Sequence, residues 1–286
     1  MMIIFSVNIL NNRNLKKGVI FGAIAAFLIG LQPVIANSRP DYIDPYIFAA
    51  ITALIEAFIF LPLFFLERKK LKSNLNDFPK QFEIYDQKLN GWKKKKNIIL
   101  ILGIGLTFTI VPIILYTGFR LAGTINASLT LKTEIIFSIL FGFLILNEKI
   151  TKTQLVFSFI LLFGVTLAIT KGNFTLIAFN VGVIILIIDV AIFTFLHTLT
   201  KFAFDRNELT AFQVVFLRNF ISGIILISTY FLFFPLKNVS ILINPNNYIF
   251  FILMGLDYGF SLYTWYKTLS VIGSIAIIMR EKQMKK

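Results

Sequence analysis

Long apolar runs alternate with short polar segments along most of this 286-residue chain. A helix needs about 20 mostly apolar residues to cross the hydrocarbon core of a bilayer. The pattern predicts eight membrane-spanning helices, at 18–36, 46–66, 97–116, 121–146, 153–170, 174–199, 211–235 and 246–267. A ninth apolar run begins at Ser270 and reaches charge at Arg280. Ten helical residues rise only about 15 Å, so this run is too short to cross on its own.

The composition supports the same fold class. Hydrophobic residues make up 57% of the chain and charged residues 15%, with a mean hydropathy of +0.81. Soluble domains are nearer to about 45–50% apolar and about 25% charged. A water-soluble protein could not bury so much apolar surface, whereas a bilayer solvates the outer face of a helical bundle. We therefore predict an all-α integral membrane protein with about eight or nine transmembrane helices.

The positive charge is concentrated beside the apolar runs. Of the net charge of +14, twelve units lie in residues 1–17, the loop 67–96 and the tail from Arg280. Loops rich in Lys and Arg stay on the cytoplasmic side of a membrane, so this placement argues against a nucleic-acid partner. With a cytoplasmic N-terminus, the inside segments hold 18 basic residues and the outside loops hold four. We expect a multi-pass protein of the cell (plasma) membrane with the loop 67–96 in the cytoplasm.

Residues that enzymes and metal sites need are scarce. The chain has no cysteine, and His197 is its only histidine. Thiolate zinc sites, disulfides and a cysteine nucleophile are therefore excluded. The sequence also has no Gly-x-Ser-x-Gly, His-Glu-x-x-His or Walker motif. We expect no catalytic residue, metal or cofactor, and we interpret His197 as a packing histidine because it has no visible relay partner.

Two segments of the chain resemble each other. Residues 97–134 align with 244–281 without a gap, with seven identities in 38 positions. The clearest match is the tripeptide LYT, which occurs at 115–117 and again at 262–264. This alignment pairs the third predicted span with the eighth. A repeat of five spans is odd in number, so its second copy would be inverted in the membrane, as in many secondary transporters.

Residues 118–170 resemble the EamA-like permeases of the drug/metabolite transporter superfamily. Their sequence is GFRLAGTINASLTLKTEIIFSILFGFLILNEKITKTQLVFSFILLFGVTLAIT. It has a fourth span rich in small residues, which closes with LNEKIT at 146–151, and a fifth span with a central glycine, Gly164. Glu148 is the acidic residue of the family motif.

The resemblance implies ten spans in two inverted five-helix repeats around a central cavity. The first repeat would cover 1–172 and the second 173–286. The second repeat stops in its fourth span, so we expect the chain to be incomplete as a transporter. A homo-oligomer or a partner would then supply the missing helices.

The function implied by the resemblance is secondary transport of a small metabolite by alternating access. The alternatives are a non-transporting membrane subunit or an inactive fragment of such a transporter. A membrane enzyme is the weakest alternative, because the motifs of such enzymes are missing.

Six charged side chains fall inside predicted spans. A charge at this depth costs roughly 3 kcal/mol or more, and it usually faces a cavity or a partner. Four acids and two bases do not balance, so some of the acids are candidates for proton carriers. The alternative to a functional role for these six side chains is ion pairing between helices. The six are Glu56, Lys132, Glu134, Asp189, Arg218 and Asp257.

Lys132 is the residue that we expect to bind substrate, since simple helix packing is a poor explanation for a lysine in mid-span. Asn126, Thr130 and Glu134 recur at helical spacing around it and indicate a polar face that could line a cavity. Close helix packing is the alternative explanation for the small hydroxyl residues.

Two further positions complete the candidate site. Tyr258 lies next to Asp257 on the eighth predicted span and could face the cavity. In the organic-phosphate branch of the superfamily, a lysine of the fourth span and basic residues of the ninth hold the phosphate. Lys132 and Arg280 occupy similar places here, so the resemblance points to an anionic metabolite.

Overall fold

The computed structural model describes residues 2–172, 180–235 and 240–284, with the side chains of 16–79, 81–172, 180–235 and 240–271. Within these residues helices and short 3-10 turns are the regular elements. The α-helices are α1 Met2–Ser38, α2 Pro45–Asp77, α3 Phe82–Asn90, α4 Lys95–Thr107, α5 Val111–Ala122, α6 Thr124–Leu131, α7 Glu134–Leu146, α8 Lys152–Ile169, α9 Val181–Asp205, α10 Ala211–Phe233, α11 Ser240–Ile243 and α12 Tyr248–Met284.

The predicted all-α membrane fold is confirmed. Among the described residues, seven helical segments are long and apolar enough to cross a membrane. They correspond to the first seven runs of the sequence. The seven are Lys16–Ser38, Pro45–Asp77, Lys95–Ala122, Thr124–Leu146, Lys152–Ile169, Val181–Asp205 and Ala211–Phe233.

The eighth predicted run, 246–267, forms the first part of α12. This helix has 37 residues, which is more than a span needs, but Asp257 and several tyrosines make it less apolar. The prediction of a separate ninth helix is wrong, because the backbone of α12 continues without a break from Tyr248 to Met284. No proline lies in α12 to interrupt its hydrogen-bond ladder, so the two runs join into one helix.

Contacts between distant segments define two ends of the bundle. At one end, which we call the basic end, segment 67–97 meets the α9–α10 turn, and Lys94 Nζ lies 2.9 Å from Glu208 Oε1. At the opposite end, the hydroxyl of Tyr42 donates to Asn247 Oδ1 at 2.8 Å. The α4–α5 segment therefore runs from the basic end to the opposite end, and α12 runs back.

Glu208 holds the basic end together. It accepts hydrogen bonds from Lys94, Arg206 and Asn97 at 2.9, 2.8 and 3.1 Å, and Lys96 Nζ lies 2.8 Å from its Oε1. Burial opposes ionisation, but these bonds together hold the pKa of Glu208 well below its usual range. A carboxylate with a depressed pKa contributes stability above its unfolded-state pKa, and this contribution is lost progressively as the pH falls from that value through the lower pKa of the folded state.

The closest helix pairs have the symmetry that an inverted repeat would produce. The closest pairs are α1 with α12, α2 with α10, and α5 with α9. An inverted repeat would exchange α1 with α9, α2 with α10, and the α4–α5 segment with α12. The α1–α12 pair would then map onto the α9–α5 pair, and the α2–α10 pair would map onto itself. The two-fold relation and the repeat boundary at 172/173 stay predictions.

Candidate functional site

A break in the fourth span separates α6 from α7 at Lys132 and Thr133. The hydroxyls of Thr130 and Thr133 donate to carbonyls of the preceding turn, Asn126 O and Thr130 O, both at 2.7 Å. These threonines therefore bond to the helix backbone. Lys132 lies in the break and Glu134 begins α7, and both line a groove that is described below.

A small cavity of about 30 Å³ lies at the centre of the bundle. This volume can hold one or two water molecules. Side chains from α1, α7, α9 and α12 converge on it, so both halves of the chain contribute. Its polar and aromatic lining consists of Gln32, Glu134, Asp189, Phe193, His197, Tyr258, Ser261 and Trp265.

Several polar atoms around this small cavity lack a hydrogen-bond partner. Within the described residues, the buried atoms without one include Asp189 Oδ1, Glu134 Oε1, both ring nitrogens of His197 and the hydroxyl of Tyr258. His197 Nδ1 lies 4.0 Å from Glu134 Oε1, which is too far for a hydrogen bond. Unpaired buried polar groups are costly, and their concentration in one place indicates a site for water, protons or a ligand.

Glu56 and Arg218 form a second buried cluster. Asn219 bridges them, since its Nδ2 donates to Glu56 Oε2 at 2.6 Å and its Oδ1 accepts from Arg218 Nε at 3.0 Å. Arg218 Nη2 lies 3.8 Å from Glu56 Oε2. The guanidinium carbon also lies 3.9 Å from the ring centre of Phe108, at the break between α4 and α5. For these two charges the structure favours interhelical pairing.

A larger groove of about 960 Å³ adjoins the small cavity. Its walls come from α1, α6, α7, α8 and α12. It shares Ile29, Leu131, Glu134 and Trp265 with the small cavity. Lys132 lies on its wall, so the predicted substrate residue contacts a space of the size that small-molecule ligands occupy.

The family motif forms a link between the two halves. Asn147 ends α7 in the left-handed conformation, with φ of 53°, and Glu148 N donates to Gly142 O at 3.1 Å. This turn directs the Glu148 carboxylate towards α9, where it pairs with Lys201. Both the turn and the ion pair lie at the basic end, next to the groove.

The other predicted residues lie as follows. Asp257 is buried at 7% exposure, and its Oδ2 has no hydrogen-bond partner among the described residues. Asn126 and Thr130 are not among the described residues that line the small cavity or the groove. The Arg280 side chain lies outside the described residues.

Gln32 and His197 line the small cavity, although neither was among the candidate site residues. The His197 ring also packs against Phe193, with ring centres 3.9 Å apart, so its interpretation as a packing histidine stays a prediction. Gln32 donates to Ser261 Oγ at 2.9 Å and joins α1 to α12. Gln32 could have been found from the sequence, because it is a polar residue within the first apolar run, just before Pro33. A search for charged residues alone does not detect it.

The described side chains give no support for metal chemistry. They contain no group of three or more His, Cys, Asp or Glu side chains placed to hold a metal ion. The small cavity offers two carboxyl groups and one imidazole near aromatic rings. That set can bind and release protons or bind a polar ligand.

Comparisons with known proteins agree with this architecture. The model of the EamA-like transporter family matches residues 16–170. An uncharacterized transporter of Methanothermobacter thermautotrophicus is 32% identical over 120 residues, which cover 41% of this chain and 35% of that protein. The chain thus matches about a third of this curated relative's length. One solved crystal structure superposes with a TM-score of 0.56 over 91% of this chain and 84% of its own, at 14% identity, which shows a shared fold.

Proposed function

Because the chain belongs to the EamA-like transporter family, we propose that it moves a small metabolite across the cell membrane by alternating access. Membership of this family makes the protein a membrane transporter in general terms. The finer proposal rests on one observation: a groove of about 960 Å³ adjoins a polar cavity inside the bundle. Small-molecule sites commonly have volumes of about 300–1,000 Å³.

Alternating access requires a site that both halves of the chain line. The small cavity supports this requirement, since Gln32 and Glu134 come from the first half and Asp189, His197 and Tyr258 from the second. A shift of one half against the other would enlarge the small cavity and join it to the groove. The unpaired carboxyl groups would then exchange protons or contact the substrate, which is the role we propose for them.

Lys132 is the proposed substrate contact in the groove. We expect Lys132→Gln to weaken binding of an anionic substrate about tenfold, because one charge-assisted hydrogen bond contributes about 1.5 kcal/mol. The first step is a thermal-shift screen of the purified protein with anionic and neutral metabolites. A titration of the best ligand then compares Lys132→Gln with the native protein.

A matched control separates binding from a general charge effect. Lys152 is exposed at the start of α8 and does not line the groove. Lys152→Gln removes the same charge and should leave the ligand-induced shift unchanged. A Lys132→Gln protein with the full shift would rule out the binding role. If Lys132 only pairs with Glu134, the variant should lose stability, and the added Glu134→Gln change should restore it.

Transport itself needs a flux measurement. Proteoliposomes that contain the native chain should accumulate the radiolabelled ligand that the screen finds, and Lys132→Gln should slow the initial rate at low substrate concentration. A chain that binds the ligand without any flux would favour the alternative function, a non-transporting membrane subunit.

We also propose that the basic end faces the cytoplasm. It carries most of the Lys and Arg residues of the loops, and the positive-inside rule supports this orientation. The chain has no cysteine, so single cysteines can be introduced directly. On intact cells an impermeant thiol reagent should label Asp41→Cys, and Lys72→Cys only after lysis. The reverse result would invert the topology.

A further inference from the structure

A third cavity, of about 370 Å³, lies at the basic end, away from the groove and the small cavity. We call it the basic pocket. Helices α2 and α3, the α9–α10 turn and α12 all contribute to it. Its charged lining consists of Glu67, Lys70, Lys88 and Lys267.

Three lysines and one glutamate thus line the same pocket. Glu67 hydrogen-bonds the hydroxyl of Thr210. Among the described residues, Lys70, Lys88 and Lys267 form no ion pair with a carboxylate. Burial lowers the pKa of Lys88, and the nearby charge of Lys267 lowers it further, while Glu67 acts in the opposite direction. Among the described residues, the pocket therefore carries more positive charge than its one carboxylate neutralises.

Other cations at the basic end have partners within the chain. Lys94, Lys96 and Arg206 share the Glu208 carboxylate, Lys201 pairs with Glu148 (above), and Arg68 donates to Leu89 O. In the basic pocket, by contrast, no described carboxylate lies within ion-pair distance of the three lysines. Since an uncompensated buried charge is costly, an anion from outside the chain would relieve the repulsion between the lysines.

The surroundings of Lys267 indicate how deep the pocket lies in the membrane. Its ammonium nitrogen lies 5.7 Å from the ring centres of both Phe212 and Tyr263, so the charged group lies beside aromatic rings. Aromatic rings beside a lysine at the end of spans are typical of the headgroup level of a bilayer. Basic pockets between helices at this level hold lipid headgroups in membrane proteins.

We propose that the basic pocket binds the phosphate group of an anionic molecule, and that in the membrane this molecule is a lipid with an anionic headgroup. Lys88 and Lys267 would contact the phosphate from opposite walls, and Lys70 would add attraction from the rim. The ligand would join α3, from the polar segment 67–97, to α12, near the other end of the chain. The proposal does not depend on transport.

The experiment uses the full chain, purified in a neutral detergent. Its thermal midpoint is measured against increasing phosphatidylglycerol, phosphatidylcholine and glycerol 3-phosphate. We expect phosphatidylglycerol to raise the midpoint by several degrees and zwitterionic phosphatidylcholine to have no such effect. An equal shift with glycerol 3-phosphate would support the phosphate site but assign it to a soluble ligand. No difference between phosphatidylglycerol and phosphatidylcholine would overturn the proposal.

Variants test the lysines themselves. Lys88→Gln with Lys267→Gln should weaken phosphatidylglycerol binding about twenty-five-fold, because each Lys near an anionic surface contributes a factor of about five. The control pair, Lys72→Gln with Lys95→Gln, removes the same charge from exposed lysines that do not line the pocket and should weaken binding less than about threefold. An equal loss in both pairs would mean that general surface charge explains the binding.

A folding defect must be separated from a binding defect. Lys88→Arg with Lys267→Arg keeps both charges and should retain most of the affinity. If the Gln pair lowers the midpoint without lipid while the Arg pair binds normally, the site is still supported. If the Arg pair also loses lipid binding although its midpoint without lipid is native, the proposal fails.

Discussion

Glu56→Gln is expected to lower the free energy of unfolding by about 3–5 kcal/mol, the cost of removing one partner of a buried ion pair. Arg218 is 1% exposed, and among the described residues Glu56 supplies the carboxylate that lies within 4 Å of its guanidinium. A carboxyl group left alone can become neutral by taking up a proton, whereas a guanidinium stays charged. We therefore expect Glu56→Gln to be more damaging than Arg218→Gln. Reversible unfolding in mixed micelles measures both.

The double variant tests the interpretation. Glu56→Gln with Arg218→Gln leaves no isolated charge, so it should be more stable than Glu56→Gln alone, and the coupling between the sites should exceed about 1 kcal/mol. Glu83→Gln, at an exposed position of α3, serves as the control for loss of a carboxylate. Additive effects of the two single changes would show that Arg218 is stabilised by Phe108 and Asn219 rather than by Glu56.

The apolar runs and helix starts were predictable because they depend on residues close together in the chain. The seven apolar spans coincide with predicted runs. The N-cap of α10 is Thr210, whose capping box with Gln213 is a local signal. Pro112 lies in the first turn of α5, just after the third span breaks between α4 and α5. Proline lacks the amide hydrogen that a continuous helix would need at that position.

The partners of the buried charges were not predictable, since they lie far apart in sequence. Asn219 is 163 positions from Glu56, and nothing local indicates that they meet. The break at Lys132 was missed for a different reason: it contains neither glycine nor proline, and the threonine hydroxyls that bond to the backbone beside it are also common inside helices. Lys132 lies in this break and lines the groove. The sequence therefore indicated the residue, but not the helix break in which it lies.

Gly182→Ala is the second change for which we expect a large effect, a loss of about 3 kcal/mol of stability. Gly182 lies in the first turn of α9, where that helix crosses the end of α5. A Cβ at this position would lie 2.2 Å from Ala122 N and 2.6 Å from Leu121 C, which are backbone atoms that cannot rotate away. Overpacking of this kind costs about 1–3 kcal/mol even where side chains can adjust. Small residues allow membrane helices to approach this closely.

The control for this prediction is Gly30→Ala, since a Cβ at Gly30 would meet no atom within 4 Å. Both changes add one methyl group to an apolar helix. The two variants therefore differ in the space around the added methyl group and not in the type of substitution. We expect Gly30→Ala to unfold at the native midpoint in micelles and Gly182→Ala to unfold well below it. Equal midpoints would mean that α5 and α9 can separate at little cost. The α5–α9 crossing would then be a place where the two halves of the bundle move against each other, as alternating access requires.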